Sequence, residues 1–536
     1  MIIYIRGMKK IKYYLSGSFY GMLWMNAFIM LSQAGVCVAQ SKDSLVIASI
    51  VKEATINSQL EKLSHELFDV IGPRLVGTPQ MKKANDWAVA KYADWGIEAK
   101  NEKWGEWRGW ERGMSHIDMV APRVRTLEGT QLAWCPSTGQ KAVVGELIIV
   151  ADTPDSIAFE KWLPNVKGKL VLVSMNQPTG RPDYNWQEFA TKESFDKMKA
   201  DRIIQTEAWR RRLSKTGYTS KTLPLALEKA GAAGIVMCDW SAGFGVNKIF
   251  GAYTKKIPTV DIALEDYGLL YRLVEAGNNP KISVRTESKE QGVVPTFNTL
   301  AMIKGSEKPE EYVILSAHFD SWDGGSGATD NGTGTLTMME AMRLLKKVYP
   351  NPKRTIIAGH WGSEEEGLNG SRAFVEDHPE IVKNIQVVFN QDNGTGRVVN
   401  IAGQGFLHAY DYLGRWLAAV PSNIRLQIET RFPGTPGGGG SDFASFIAAG
   451  APAFSLSSTS WSYGNYTWHT NRDTYDKIVF DDVRSNVMLT AILAYMASED
   501  PVKTSRDRSI LPVDSRTGKP ALWPQQRSPI RKGGLD

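Results

Sequence analysis

Hydrophobic residues along this chain come in short runs that stop abruptly at polar, turn-rich loops. The clearest case is Tyr312–Gly334, YVILSAHFDSWDGGSGATDNGTG, where an apolar run feeds His318 and a Gly/Asp-rich loop, and helical spacing takes over from Thr333 to Tyr349. An apolar strand, a polar loop and then a helix is how an open α/β sheet delivers ligands at the carboxyl ends of its strands. The same pattern predicts strands at Tyr312–Ala317, Arg354–Gly359, Ile385–Phe389 and Ala453–Leu456, with a second helix starting near Leu368. Strand and helix alternate, so the predicted architecture is α/β, a mostly parallel mixed sheet with helices on both faces.

Ahead of this region the spacing is different. Leu60, Leu63, Leu67 and Val70 recur at helical intervals, and Thr78-Pro79 makes an N-cap and first-turn pair for a helix that ends near Gly96. The Gly-Pro-Arg loop between them reads as scaffold, with approach to a cleft as the alternative. From residue 131 short strands and helices separated by turn signals predict a smaller α/β domain inserted into the main one. Its elements are a buried strand in Val166–Ser174, a helix, glycine and strand in Leu223–Cys238, and a strand, Asp-rich cap and helix in Ile257–Gly277. A charged helix over Phe195–Lys215 carries Arg210-Arg211-Arg212, read as a solvated face. The boundaries drawn are 1–39 for an export signal, 40–130 and 293–500 for the main domain, 131–292 for the insertion and 501–536 for an extended, proline-containing tail.

Composition narrows the partners. A chain of 536 residues, 42% hydrophobic and 22% charged, is globular and holds two or three domains. Its net charge of +6 comes without a basic stripe interleaved with aromatics, so no nucleic-acid partner is implied. Seventeen tryptophans suit apolar clefts for peptide-like or carbohydrate-like ligands. The first 39 residues have a basic start (Arg6, Lys9, Lys10, Lys12), an apolar core (Leu23–Leu31) and small residues at Cys37 and Ala39, which predicts export and cleavage before Gln40. An uncleaved anchor and a lipoprotein centred on Cys37 are the alternatives. No later segment has the roughly 18 apolar residues of a membrane span. Cys135 and Cys238 allow one disulfide after processing, without fixing whether they meet.

The candidate chemistry sits at the ends of the apolar runs. His318 and Asp320, two apart at a strand end, suit a metal ligand and the carboxylate that orients it. Asp330 follows the loop. Glu364-Glu365-Glu366 repel one another and need a cation if buried, Asp392 ends another strand, and His469 lies among aromatics. Two histidines and three carboxylates can hold a pair of divalent cations with one carboxylate bridging, and zinc suits such a mixed set. A further carboxylate can serve as general base.

In this order, HFD, GATDNGTG, GSEEEG, NQD and HTNRDT resemble the five signature blocks of the dinuclear zinc aminopeptidase and carboxypeptidase family. The resemblance covers roughly residues 50–500 and includes the insertion, which resembles a protease-associated domain. It implies the zinc exopeptidase fold and two Zn2+ per chain. His318 and Asp392 would hold one zinc, Glu365 and His469 the other, and Asp330 both. Asp320 would accept a hydrogen bond from His318. Glu364 would be the general base, taking a proton from a zinc-bridging water and passing it to the leaving amine. Aligning Gly367 with the family's glycine sets this register and leaves Glu366 spare. The chain departs from the pattern in PGGGGSDFASF, where Phe443 stands in place of a common histidine beside the retained Asp442, and Gly437–Gly440 suggests a mobile lip. Tyr463, Tyr466 and Trp468 either line a subsite, donate to an oxyanion or simply pack. His360 is expected to be a packed neighbour, and Asp473 to cap a local turn.

The resulting expectation is an exported zinc exopeptidase acting on dipeptides and short peptides, as an aminopeptidase or dipeptidase, since no arginine near the motifs offers an obvious clamp for a C-terminal carboxylate. Carboxypeptidase action is the alternative within the class. A metal-dead binding protein of the same fold is disfavoured by the complete ligand set, and so is a single-zinc glutaminyl cyclase. The insertion would either cover the cleft and limit peptide length or mediate a homodimer.

Overall fold

The computed structural model describes residues 42–514 and 517–534. The export signal expected over residues 1–39, with Cys37, lies outside the described residues. The chain divides into Met1–Leu45 and Val46–Asp536, and the fold is that of the second unit. In chain order its main elements are α1 (Lys42–Ile56), α2 (Pro79–Asp94), β1 (Glu98–Ala121), β2 (Val143–Ile149), β3 (Leu170–Leu172), α3 (Lys192–Ser214), β4 (Gly234–Met237), β5 (Thr259–Ile262), α4 (Leu264–Glu275), β6 (Lys281–Ile303), β7 (Lys308–His318), α5 (Thr333–Val348), β8 (Arg354–Trp361), α6 (Asn369–Asp377), β9 (Ile385–Asn390), β10 (Ala453–Ser455) and α7 (Phe480–Glu499).

The strands expected from the apolar runs are present as β7 to β10. They are consecutive in space in the order β10-β9-β7-β8, all parallel, and β6 closes the set antiparallel to β8. The architecture is thus α/β with a large mixed sheet. Val313, Ile314, Leu315 and Ala317 of β7 are buried together with Leu336, Met339 and Met342 of α5 and Val487, Ile492 and Leu493 of α7. Each such aliphatic side chain contributes about 1.5–3 kcal/mol by leaving water. Thr78 caps α2 as its sequence predicts, its Oγ1 accepting from the Met81 N–H at 3.2 Å.

The main surprise is a ribbon. β1 and β6 pair antiparallel almost end to end, from Glu98 opposite Met302 to Ala121 opposite Lys281. One half of the ribbon borders the parallel sheet through β8. The other half carries β2 antiparallel to β6, followed by β3, β4 and β5 in parallel order and Gly129–Gln131 antiparallel to β5. This second lobe has its own core, with Leu147, Leu170, Val236, Val260, Ile262, Tyr267 and Val284. In the ribbon, β6 runs through the boundary drawn at 292, and β1 ends at Ala121, ahead of the one drawn at 131. Its charged, glycine-broken sequence hid it, because β-bulges near Trp104, Trp110, Arg112 and Met119 break the strict two-residue alternation. Trp104, Trp107 and Trp110 are buried at the junction with Trp134, Trp322 and Ile249.

The described residues of the expected tail dock on the folded chain. Thr504 bonds Gln386, Trp523 packs on Phe406, and Lys532–Gly533 pairs in parallel with Glu106–Trp107. Gly105 permits this approach, since a Cβ there would stand 2.7 Å from the Arg531 carbonyl oxygen. Cys135 and Cys238 are both buried and free, so the disulfide that the sequence allowed is not formed. Among the described residues no helix is long and apolar enough to cross a membrane.

Glu53 joins α1 to α5. Its carboxylate accepts from Arg343 at 2.9 Å, Lys347 at 2.8 Å and Asn57 at 2.7 Å. Burial opposes its charge, but these donors outweigh that and bring its pKa down to about 2. Stability from this group is therefore full above the ordinary carboxylate range and lost as pH falls towards 2. Glu53→Gln is expected to destabilise the fold by about 2 kcal/mol at pH 7. In denaturant titrations the gap to wild type should narrow as pH drops from 4.5 to 2. A pH-independent gap would mean that the charge contributes nothing.

Candidate metal centre

β7 ends at His318, and the loop that follows is held from behind by Arg74. This fully buried guanidinium donates to the carbonyls of Phe319 at 2.7 Å, Ser326 at 2.8 Å and Gly327 at 2.8 Å, and Ser321 Oγ receives the Arg74 N–H at 3.0 Å. The Gly-Pro-Arg loop read as scaffold is thus a positioning element. Gly327, at φ +61°, is forced, because a Cβ there would stand 2.3 Å from that of Ser321. Arg112 holds the same loop from the ribbon, its Nε and Nη2 each 2.7 Å from a carboxylate oxygen of Asp323.

β8 leads through Ser363, at φ +63°, into Glu364-Glu365-Glu366, and β9 leads to Asp392. His469, at φ +61°, stands on a loop that the second lobe grips through residues 241–251. There the Ile249 N–H bonds the His469 carbonyl at 2.8 Å, and Asn247 and Asn471 exchange backbone and side-chain hydrogen bonds at 2.9–3.2 Å. Left-handed φ at non-glycine residues is strained and persists where the surroundings enforce it.

These elements bring together every residue expected to bind metal. His318 Nε2 lies 3.1 Å from Asp392 Oδ1 and 3.5 Å from Asp330 Oδ1. His469 Nε2 lies 2.9 Å from Glu365 Oε2 and 3.4 Å from Asp330 Oδ2. Asp330 therefore offers one oxygen towards each imidazole. The donor atoms of His318, Asp330 and Glu365 lie within 4.8 Å of one another, and so do those of His318, Glu364 and Asp392. Among the described residues, no hydrogen-bond donor reaches the buried Asp330 Oδ2 and Glu365 Oε1. Oxygen and imidazole donors converging with buried, unbonded oxygens among them fit divalent cations, zinc in particular.

The electrostatics agree with that demand. Burial pushes Glu364 and Glu365 well above the ordinary carboxylate range, and neighbouring acids add to it. Burial alone would lower His318, but Asp392 and Glu364 hold it well above its usual value. Burial takes His469 down to about 4, against the pull of Asp330. Arg74 is the nearby cation, brought down to about 10 by burial, and its nitrogens are already engaged with carbonyls.

Several partners differ from expectation. His318 Nδ1 lies nearer to the Asp320 backbone carbonyl, at 3.0 Å, than to its carboxylate, at 3.6 Å. The carboxylate instead accepts from the N–H groups of Glu364 at 3.0 Å and Glu365 at 3.2 Å, and so places the acidic triple. Asp473 caps no local turn. It is buried and accepts from Thr329 N–H at 2.7 Å and Asp330 N–H at 2.9 Å, which sets the Asp330 loop. No sequence signal marked either contact, because each spans a long stretch of chain. Glu366 turns away to Ser363 Oγ at 2.9 Å. His360 bonds the Tyr92 hydroxyl at 2.7 Å as a packed neighbour. Tyr463 lies against Asp330, Tyr466 meets Tyr184 of the second lobe at 3.1 Å, and the Trp468 ring stacks 4.0 Å from that of His469. Phe443 is buried in the main core, and Asp442 is buried beside Ser371.

Residues 298–494 match Peptidase family M28, a stretch that contains the whole ligand constellation. The chain is 25% identical over 460 residues to carboxypeptidase Q of Mus musculus, covering 84% of this chain and 89% of that protein. Carboxypeptidase Q of Homo sapiens is 24% identical over 469 residues, covering 85% and 91%. The crystal structure of a peptidase M28 precursor from Shewanella amazonensis superposes with a TM-score of 0.64 at 23% identity, over 86% of this chain and 98% of that one. A zinc aminopeptidase from Bacillus subtilis superposes with a TM-score of 0.53 at 19% identity, over 83% and 96%. These structural likenesses establish a shared fold.

The grip on the His469 loop is open to direct test. Asn471→Ala removes the side chain that joins the loop to Asn247. Metal affinity, measured by competition with a chelator, is expected to fall at least tenfold. Unchanged affinity would show that the loop holds its own shape.

Proposed function

From the premise that residues 298–494 are a domain of peptidase family M28 and make this chain a zinc metallo-exopeptidase, we propose that it removes single residues from dipeptides and short peptides with a free α-amine, using two zinc ions per chain. The observation that carries this reading is Asp330, whose two oxygens point at the two imidazoles, each of which has a further carboxylate of its own. His318 and Asp392 would hold one ion, His469 and Glu365 the other, with Asp330 shared. Zinc there supplies Lewis acidity to a water and to the scissile carbonyl.

The remaining work belongs to the chain. Glu364 brings a carboxylate oxygen within 4.8 Å of donor atoms of His318 and Asp392, where it can act as general base. It takes the proton of the attacking water as the C–O bond forms. It returns that proton to the amine nitrogen as the C–N bond breaks. Asp320 keeps Glu364 and Glu365 at fixed heights by binding their backbone N–H groups. Asp473 does the same for Asp330. The acids that face the site also suit a substrate's protonated α-amine. Trp322, Phe250 and Trp468 surround His469 with aromatic faces and shield that side of the site from water. Export is read from the N-terminal pattern of basic, apolar and small residues. The second lobe is read as a protease-associated domain that narrows the cleft. A binding protein of the same fold is the other class of reading, and the intact donor set speaks against it.

The test joins metal analysis to kinetics. The purified chain should carry two zinc ions and hydrolyse dipeptides. Glu364→Gln should keep both ions and lose roughly 100- to 10,000-fold in kcat. Full activity in Glu364→Gln would move the base elsewhere, and a chain with neither metal nor hydrolysis would be a binding protein.

A further inference from the structure

Lys248 lies on the segment by which the second lobe grips the His469 loop. It is only 7% exposed, yet among the described residues its ammonium has no ion-pair partner. The ammonium stands 4.4 Å from the centre of the Trp468 ring. The nearest acids, Asp239 and Asp261, act on it at a distance. The Asp261 carboxylate is taken up by the Asp239 N–H at 2.8 Å and the Asn247 side chain at 3.1 Å. Burying an ammonium without a counterion is costly, and a cation–π contact recovers only part of that cost.

Lys248 also lines a cavity of about 500 Å3, together with Trp209, Trp240, Phe250 and Tyr253. The cavity adjoins the metal centre through its walls. The Phe250 ring lies 5.1 Å from the ring of His469, and Trp468 stacks on that same imidazole from beneath Lys248. A charge held without an ion-pair partner on the wall of a largely apolar cavity, which Asp239 and Asp261 also line, one ring away from His469, is suited to an anion that arrives with the substrate.

We propose that Lys248 is a specificity residue that binds a carboxylate of the peptide substrate, whose adjoining chain packs on Phe250 and Trp240. The carboxylate is either the free C-terminus or an acidic side chain. This rests on the peptidase reading and names the substrate class that the site selects. If the carboxylate is the C-terminus, the lobe supplies the anchor that no arginine near the motifs offered.

The experiment separates the two sources and also separates this proposal from the peptidase reading. Binding is followed by tryptophan fluorescence on the zinc-loaded full chain carrying Glu364→Gln, with and without Lys248→Met or Lys248→Arg. The probes are Ala-Ala against Ala-Ala-amide and Ala-Glu-amide against Ala-Gln-amide. At least one acid is expected to bind tenfold or more tightly than its neutral partner. Lys248→Met should abolish that preference, Lys248→Arg should retain most of it, and the neutral probes should be unaffected. Preference in the first pair assigns the C-terminus, and preference in the second assigns the side chain. Absence of preference in both pairs, or a preference that survives Lys248→Met, overturns the proposal. So does loss of zinc from Lys248→Met, which would make the residue structural. In the background with native Glu364, Lys248→Met should raise KM for the preferred acid alone. If the acids bind selectively but no dipeptide is cleaved, the peptidase reading fails while the carboxylate site stands.

Discussion

Like-charge repulsion governs this molecule. Asp320, Asp330, Glu364, Glu365, Asp392 and Asp442 crowd around two imidazoles in a place that water barely reaches. Left alone, such a set would protonate or push apart. The fold relieves it in two ways. Backbone N–H groups are aimed at the acids that stay outside the donor set, Asp320 and Asp473. Among the acids with unbonded oxygens, Asp330 and Glu365 turn theirs towards the imidazoles, where a cation would satisfy them. Arg74 illustrates the division of labour: its charge lies close to the acids, but its hydrogen bonds go to the carbonyls that shape the loop.

The second lobe is built into this arrangement. The β1–β6 ribbon runs unbroken from one sheet to the other, and Arg112 reaches from it to Asp323 on the loop beside Asp330. The 241–251 segment grips the His469 loop, and the tail returns to pair with the middle of β1. The centre is therefore assembled from the N-terminal loop of Arg74, the ligand loops of the parallel sheet and the inserted lobe. The family match covers only the ligand loops among these.

What the sequence made legible follows from range. The strands feeding His318, Glu364 and Asp392 are apolar runs ending in turns, a local signal that survives without any knowledge of neighbours. The metal set was legible because its residues sit at those ends. The ribbon was not, because bulges and glycines blur its alternation and its stability comes from a partner far along the chain. Asp320 and Asp473 were seen, but with local partners, since nothing local tells a carboxylate that its donors lie dozens of residues away. The loop of Arg74 read as scaffold for the same reason, its partners lying far along the chain. Lys248, in an unremarkable stretch of the insertion, acquires meaning only once the lobe is folded against Trp468.

The bond between Ile249 and the His469 carbonyl has a thermodynamic corollary. If docking of the lobe steadies His469 for a metal ion, then the ion must steady the docked lobe by the same factor, because coupling between two equilibria is reciprocal. Metal occupancy and lobe position are then one variable seen from two ends. Starving the protein of metal would loosen a contact well outside the coordination sphere, and any partner that pried the lobe away would release the ion.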